Sequence, residues 1–155
     1  EAGVGIGDIV VATEEIYGDE GVTTEDGFRT LSDLGFVTVH DGDMALYHRF
    51  PVPDGDAVAR TVREKTAMTV HAGPLLTVSA CSGTDRIAED RYHRFAALAE
   101  SMEGAALAHV AALFDVPFVE IQGISNFTGA YDKSTWRIGD AVNAVNRALT
   151  AFLED

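Results

Sequence analysis

Three short clusters in this sequence carry residue types able to act on a small polar ligand: Ser82-Gly83-Thr84, Met102-Glu103 and Ser125-Asn126. A carboxylate such as that of Glu103 only accepts hydrogen bonds, so it suits a ligand that presents hydroxyl donors. The Asn126 amide offers one NH₂ and one C=O, so it suits a ligand edge carrying a donor and an acceptor side by side. Each cluster also has a plain structural reading. A glutamate in the first turn of a helix gains ~0.3–1 kcal/mol from the helix dipole. Ser-Asn is ordinary turn chemistry, and Ser-Gly-Thr is an ordinary approach to a helix N-cap.

The elements that must hold these clusters follow from hydrophobic periodicity. Asp8–Tyr17 reads as a buried strand rich in β-branched residues. Gly73–Thr84 reads as a second strand running into a small polar turn, and Phe118–Ile124 as a third. Residues 18–28 read as a polar, glycine-rich loop. Two short strands are expected around a turn at Asp41-Gly42-Asp43. Helices are expected over Asp54–Lys65, over the charged stretch Asp85–Phe95, and over Glu103–Phe114, which stops before Pro117. A short strand is expected within residues 96–101. The last helix, Asp140–Leu153, has Val142, Val145, Leu149 and Phe152 at core-facing spacing. Strands alternating with helices predict one α/β domain over residues 1–155 with a largely buried sheet. In open α/β sheets ligands bind outside the carboxyl ends of the strands. Ser82-Gly83-Thr84 and Ser125-Asn126 stand at such ends, and Met102-Glu103 at a strand-to-helix junction, so the three are expected to converge on one crevice.

Composition narrows the partners. The chain has 155 residues and a formal net charge of −14, which argues against a nucleic-acid backbone and against an anionic membrane surface as partners. No apolar run approaches the ~20 residues needed to span a bilayer, and no basic-plus-apolar leader pattern is present. The one cysteine, Cys81, rules out an internal disulfide and points to an intracellular, cytoplasmic protein. Cys81 lacks a catalytic-cysteine context and is expected to be buried packing. His40, His48, His71, His93 and His109 show no zinc-ligand spacing, so neither metal nor cofactor is expected. His109 is expected to be a hydrogen-bonded interior or interface residue. The two Asp-Gly-Asp runs do not continue as calcium loops and read as turns. The chain starts at Glu1 and enters a strand almost at once. Such a strand needs neighbours on both sides, so an N-terminal part is expected to be missing.

Two longer stretches resemble a known family. "GDIVVATEEIYGDEGV" and "SMEGAALAHVAALFDVPFVEIQGISN" resemble segments of the nucleoside phosphorylase and nucleosidase superfamily. With "TVSACSGT", "ESMEGAA", "ISNFTG" and the tryptophan of "DKSTW" in that order, the pattern looks most like the futalosine hydrolases, the nucleosidases of the futalosine route to menaquinone. The resemblance covers essentially the whole chain. It implies a three-layer αβα phosphorylase/hydrolase-like domain with a central mixed sheet, of which this chain is the C-terminal portion. It assigns Glu103 to the ribose hydroxyls, Met102 to packing on the sugar, Asn126 to the purine at N7 and Ser125 to support of Asn126. Ser82, Gly83 and Thr84 fall where the family frames the base, and Trp136 falls near an aromatic covering the base or the 5′ substituent. The chain departs from the adenine-specific nucleosidases at Asn126, where they have aspartate, and at Ser101, where they often have glutamate. The family's initial glycine-rich segment and its water-activating carboxylate have no counterpart here.

The resemblance implies an N-glycosyl hydrolase that releases hypoxanthine from futalosine and leaves dehypoxanthine futalosine. The Asn126 NH₂ suits the O6 acceptor of a 6-oxopurine, and its C=O can accept a proton arriving at N7. The substrate's benzoate would need a cation, for which Lys133 and Arg137 are the candidates beside Trp136; as exposed charges they read more readily as solvated loop residues. The partner is then a small purine nucleoside, and the protein a homo-oligomer. Two other functions stay open: a phosphate-dependent phosphorylase, and a non-catalytic nucleoside-binding module if the chain is naturally short.

Overall fold

A computed structural model describes residues 3–154. The elements in chain order are strands β1 (Ile9–Tyr17), β2 (Gly21–Thr24) and β3 (Gly27–Thr30), helix α1 (Leu31–Leu34), strands β4 (Val39–Asp41), β5 (Met44–Leu46) and β6 (Arg49–Pro51), helix α2 (Gly55–Thr66), strand β7 (Val70–Thr77), helix α3 (Asp85–Phe95), strand β8 (Ala99–Ser101), helix α4 (Gly104–Leu113), strand β9 (Ile121–Gly123) and helix α5 (Ile138–Leu153).

β1 is the centre of the fold because its β-branched run is buried from Ile9 to Ala12. It pairs in parallel with β7 along its whole length, and β8 continues the sheet in parallel beyond β7. The other edge of β1 is shared by two antiparallel strands, β9 opposite Ile9–Val11 and β6 opposite Glu14–Ile16. The sheet is therefore mixed. Ile9 and Val11 pack against Val58, Ala59 and Val62 of α2 and Ala144 and Ala148 of α5 on one face. On the other face, α4 packs Ala105 and Ala108 against Phe50. Further along the sheet, Phe95 of α3 packs against Ile16, Leu76 and Val78. These are the three layers that the family resemblance implies.

One irregularity decides which side chains reach α4. The β1–β7 register runs Ala12↔Gly73 and then Glu14↔Pro74, leaving Thr13 as an extra residue. Pro74 has no N–H to offer the ladder, and the Thr13 carbonyl instead accepts from Val52 N at 2.9 Å. An extra residue inverts the two-residue alternation of a strand. Without it Glu15 would share the face of Ile9 and Val11; with it Glu15 is turned beneath α4.

Four expectations need correcting. The 18–28 stretch is not simply a loop, since β2 and β3 form a hairpin there. β2 is exposed throughout, so it carries no buried-face pattern to read. The third strand shortens to β9, three half-buried residues. On α5, Val142 and Leu149 are exposed, while Ala141, Ala144 and Ala148 are buried. The helix lies so close over β9 that a Cβ on Gly123 would press on the Ala141 carbonyl, and only small residues fit that contact. Cys81 is exposed rather than buried, because it stands in the turn beyond β7 and not in the strand. No helix among the described residues is long and apolar enough to cross a membrane.

Candidate active site

β9 ends at Gly123, and the chain then passes along a cavity of about 710 Å³ lying between the sheet and α3. That volume is ordinary for a small-molecule site. Ser125 and Asn126 line it, together with Glu100 of β8, Gln122 of β9 and Arg91 of α3. The Asn126 amide is oriented within this wall. Ser125 Oγ donates to Asn126 Oδ1 at 2.7 Å, and Asn126 Nδ2 donates to the Phe127 carbonyl at 3.0 Å. One N–H and one oxygen lone pair of the amide remain for a ligand. The Ser125 carbonyl in turn accepts from Arg137 N at 2.8 Å, fastening the loop to the start of α5. Nearby, Gln122 Nε2 donates to the Glu100 carbonyl at 3.1 Å, and its buried Oε1 has no partner among the described residues.

Met102 and Glu103 follow directly on β8, whose Ala99 and Glu100 line the cavity, but neither residue is itself part of the lining. Both are exposed. Glu103 is the N-cap residue of α4 and makes no side-chain cap bond; its carboxylate accepts from Met102 N at 3.2 Å. The first turn of α4 is held instead by Ala105 N donating to Thr77 Oγ1 at 2.7 Å.

Ser82, Gly83 and Thr84 stand outside the cavity lining too, and two of their side chains are occupied. The buried Ser82 hydroxyl donates to Glu100 Oε1 at 2.5 Å and accepts from Arg91 Nη1 at 3.0 Å. Ser82 N donates to Glu100 Oε2 at 3.0 Å. Thr84 caps α3 by accepting from Ile87 N. Gly83 is half-buried, with open space where a side chain would be. The turn is nonetheless brought against the loop beyond Asn126, through Ala130 N donating to Asp85 Oδ1 at 3.2 Å. Trp136 lies further along, edge-on to Tyr131 at 5.7 Å, with Lys133 Nζ 5.8 Å from both rings. Arg137 pairs with Asp140 at 2.8 Å. His109 bonds the Tyr17 hydroxyl at 3.4 Å and stacks on Phe50.

Sequence reasoning passes over Arg91 and Glu100, whose side chains are about 10% and 11% exposed and 3.4 Å apart. Arg91 also donates to the Ala80 carbonyl at 2.8 Å. It joins α3, the turn at 80–82 and β8 into one cavity wall. Arg91→Met leaves Glu100 nearly buried without its cation, so it should cost about 3–5 kcal/mol by urea denaturation, and Arg91→Lys less. Glu15 and Glu120 are the other acids missed. Their signal was available: each is a carboxylate inside a segment read as a buried strand.

A family model described as the phosphorylase superfamily matches residues 1–155. Futalosine hydrolase of Streptomyces coelicolor is 38% identical over 145 residues, covering 93% of this chain and 56% of its own length. Futalosine hydrolase of Thermus thermophilus is 32% identical over 155 residues, covering 99% and 64%. The chain thus spans between about half and two thirds of the curated relatives it matches. Among solved structures, the methylthioadenosine/S-adenosylhomocysteine nucleosidase of Neisseria meningitidis, in complex with methylthio-immucillin-A, superposes with a TM-score of 0.77 at 20% identity. That match covers 97% of this chain and 63% of that one. Futalosine hydrolase of Helicobacter pylori superposes equally well, with a TM-score of 0.77 at 17% identity, over 97% and 61%. At these identities the structural likeness speaks for the fold.

Proposed function

Because the chain belongs to the phosphorylase superfamily, we propose that it carries the base- and sugar-binding residues of a purine nucleosidase of futalosine-hydrolase type, acting in menaquinone biosynthesis. The observation that carries this reading is the Asn126 amide, fixed by Ser125 in the cavity wall with one N–H and one lone pair unspent. Those two valences match the O6 acceptor and a protonated N7 of hypoxanthine. The relatives named futalosine hydrolase support the same substrate.

In the reaction the bond from the ribose carbon to the base nitrogen breaks and its electrons leave with hypoxanthine. Water attacks the sugar carbon and its proton passes to the departing base, which leaves as neutral hypoxanthine; the sugar product is dehypoxanthine futalosine. Charge grows positive on the sugar, as in glycoside hydrolysis, and negative on the base. Glu103 is assigned to the ribose hydroxyls, where a carboxylate opposes the sugar charge, and Asn126 to the base, where the charge is spread through N7 and O6. Met102, 51% exposed beside Glu103, is assigned to the sugar face, Gly83 to the backbone frame of the base, and Trp136 to cover of the 5′ group. Ser82 and Thr84 act through the turn they brace. The outward apolar side chains Leu107, Val110 and Leu113 of α4 support association of copies, and the reading is of a cytoplasmic homo-oligomer.

The test is product analysis with futalosine in the presence and absence of phosphate. Free hypoxanthine at equal rates in both is expected. Release that requires phosphate would make the protein a phosphorylase, and tight binding without turnover would make it a binding module.

A further inference from the structure

Behind the start of α4 lie two acids that the reaction above does not use. Glu15 of β1 is fully buried, and neither of its carboxyl oxygens has a partner among the described residues. Glu120, just before β9, brings its carboxyl to the same point: a Cβ on Gly104 would overlap Oε2 of both acids. Neither forms a salt bridge among the described residues. The charged group that acts on the pair from α4 is the Glu103 carboxylate, an acid and not a cation. Two carboxylates this close in a dry site cannot both ionise, and the donor that each lacks is a proton on the other.

We propose that Glu15 and Glu120 share one proton and act as positioning residues: the singly charged pair, wedged against Gly104, sets the place of the adjoining Glu103 carboxylate. The role assigned to Glu103 rests on the function proposed above; the shared proton does not. Burial pushes the Glu15 carboxyl up to about 9, with the Glu120 charge adding to it. Burial raises Glu120 as well; the Glu15 carboxyl partly offsets that rise and the Glu103 charge adds to it. For a group raised in the folded state, the stability it contributes is full below its unfolded value of 4.5 and is lost as the pH climbs through about 9. The folding constant therefore falls by up to about tenfold per pH unit across that window. At the alkaline end, a second charge beneath Gly104 forces the pair apart and moves Glu103.

The experiment is an NMR titration of the full chain, from neutral pH to beyond the Glu15 value, with E15Q alongside. The amides of Glu103, Gly104 and Ala105 are expected to shift together with one alkaline midpoint in the wild type. In E15Q they are expected to keep their neutral-pH positions and lose that transition. An infrared band of a protonated carboxyl is expected at neutral pH in the wild type and not in E15Q. Should E15Q fail to fold, E120Q takes its place: Glu15 is still held up by burial and keeps an alkaline transition, but its midpoint is expected to fall because the Glu120 charge is gone. Amides at 103–105 that do not titrate, or titrate alike in wild type and variant, overturn the inference, as does absence of the protonated band. A parallel measurement of KM for futalosine is expected to show a rise of about tenfold per pH unit above the midpoint in wild type and a flat profile in E15Q. If the amide transition is present but no nucleoside binds at any pH, the proposed function fails and the shared proton stands. If nucleoside is turned over but the transition is absent, the positioning inference fails alone.

Discussion

Glu103→Ala is expected to lower kcat/KM for futalosine by about 10²–10³-fold while leaving the fold intact. The second half of that statement follows from local structure. Glu103 is exposed, makes no cap bond to α4, and accepts one backbone hydrogen bond from its neighbour. The helix start is secured by Thr77, so removing the Glu103 carboxylate forfeits only the dipole interaction, ~0.3–1 kcal/mol. A catalytic loss accompanied by so small a change in unfolding free energy assigns the residue to the ligand. Glu103→Gln, which keeps the shape and discards the charge, should recover little of the loss, since the charge is what opposes the developing oxocarbenium. Unchanged kcat/KM in the alanine variant, with a small drop in stability, would return Glu103 to the role of a helix-terminal acid.

The second large effect concerns the base. Asn126→Asp should swing preference from hypoxanthine toward adenine nucleosides, lowering the ratio of their kcat/KM values by roughly 10²–10⁴-fold in a competition assay. The amide can donate to O6; a carboxylate in its place cannot, and a protonated carboxyl has one donor, which N7 takes. Its other oxygen then suits the adenine amino group. Ser125 can go on donating to whichever oxygen stands at the Oδ1 position, while the bond to the Phe127 carbonyl is given up, since an oxygen in place of Nδ2 has no N–H for it. A ratio that does not move would mean that Asn126 braces its loop through Phe127 and does not touch the base.

The local elements were legible because their signals are local. β1, the turn between β4 and β5, α2 and α4 fall within a residue or two of the expected bounds. What periodicity cannot supply is distance between elements. Val142 and Leu149 lie at core-facing spacing, yet the interior side of α5 is its alanines, because β9 passes directly under that helix with Gly123 at the contact. The exposed β2–β3 hairpin has no buried face and so no alternation to read. At the site, Ser125 and Asn126 could be placed together from adjacency alone. The occupation of the Ser82 hydroxyl by Glu100 and Arg91 depends on residues 9 and 18 positions away, and no motif records it. The convergence of Glu15 and Glu120 depends on one bulge beside Pro74, which moves an acid from one face of the sheet to the other.

The account requires that Asn126 in the cavity wall and Glu103 at the mouth of α4 serve one ligand, although only the first lines the cavity. A structure of the protein with a bound hypoxanthine nucleoside tests this most directly. The prediction is a base with O6 and N7 on the Asn126 amide and ribose hydroxyls within hydrogen-bond reach of the Glu103 carboxylate. A nucleoside seated against Glu100 and Gln122 with its sugar turned away from Glu103, or bound elsewhere on the chain, would contradict it.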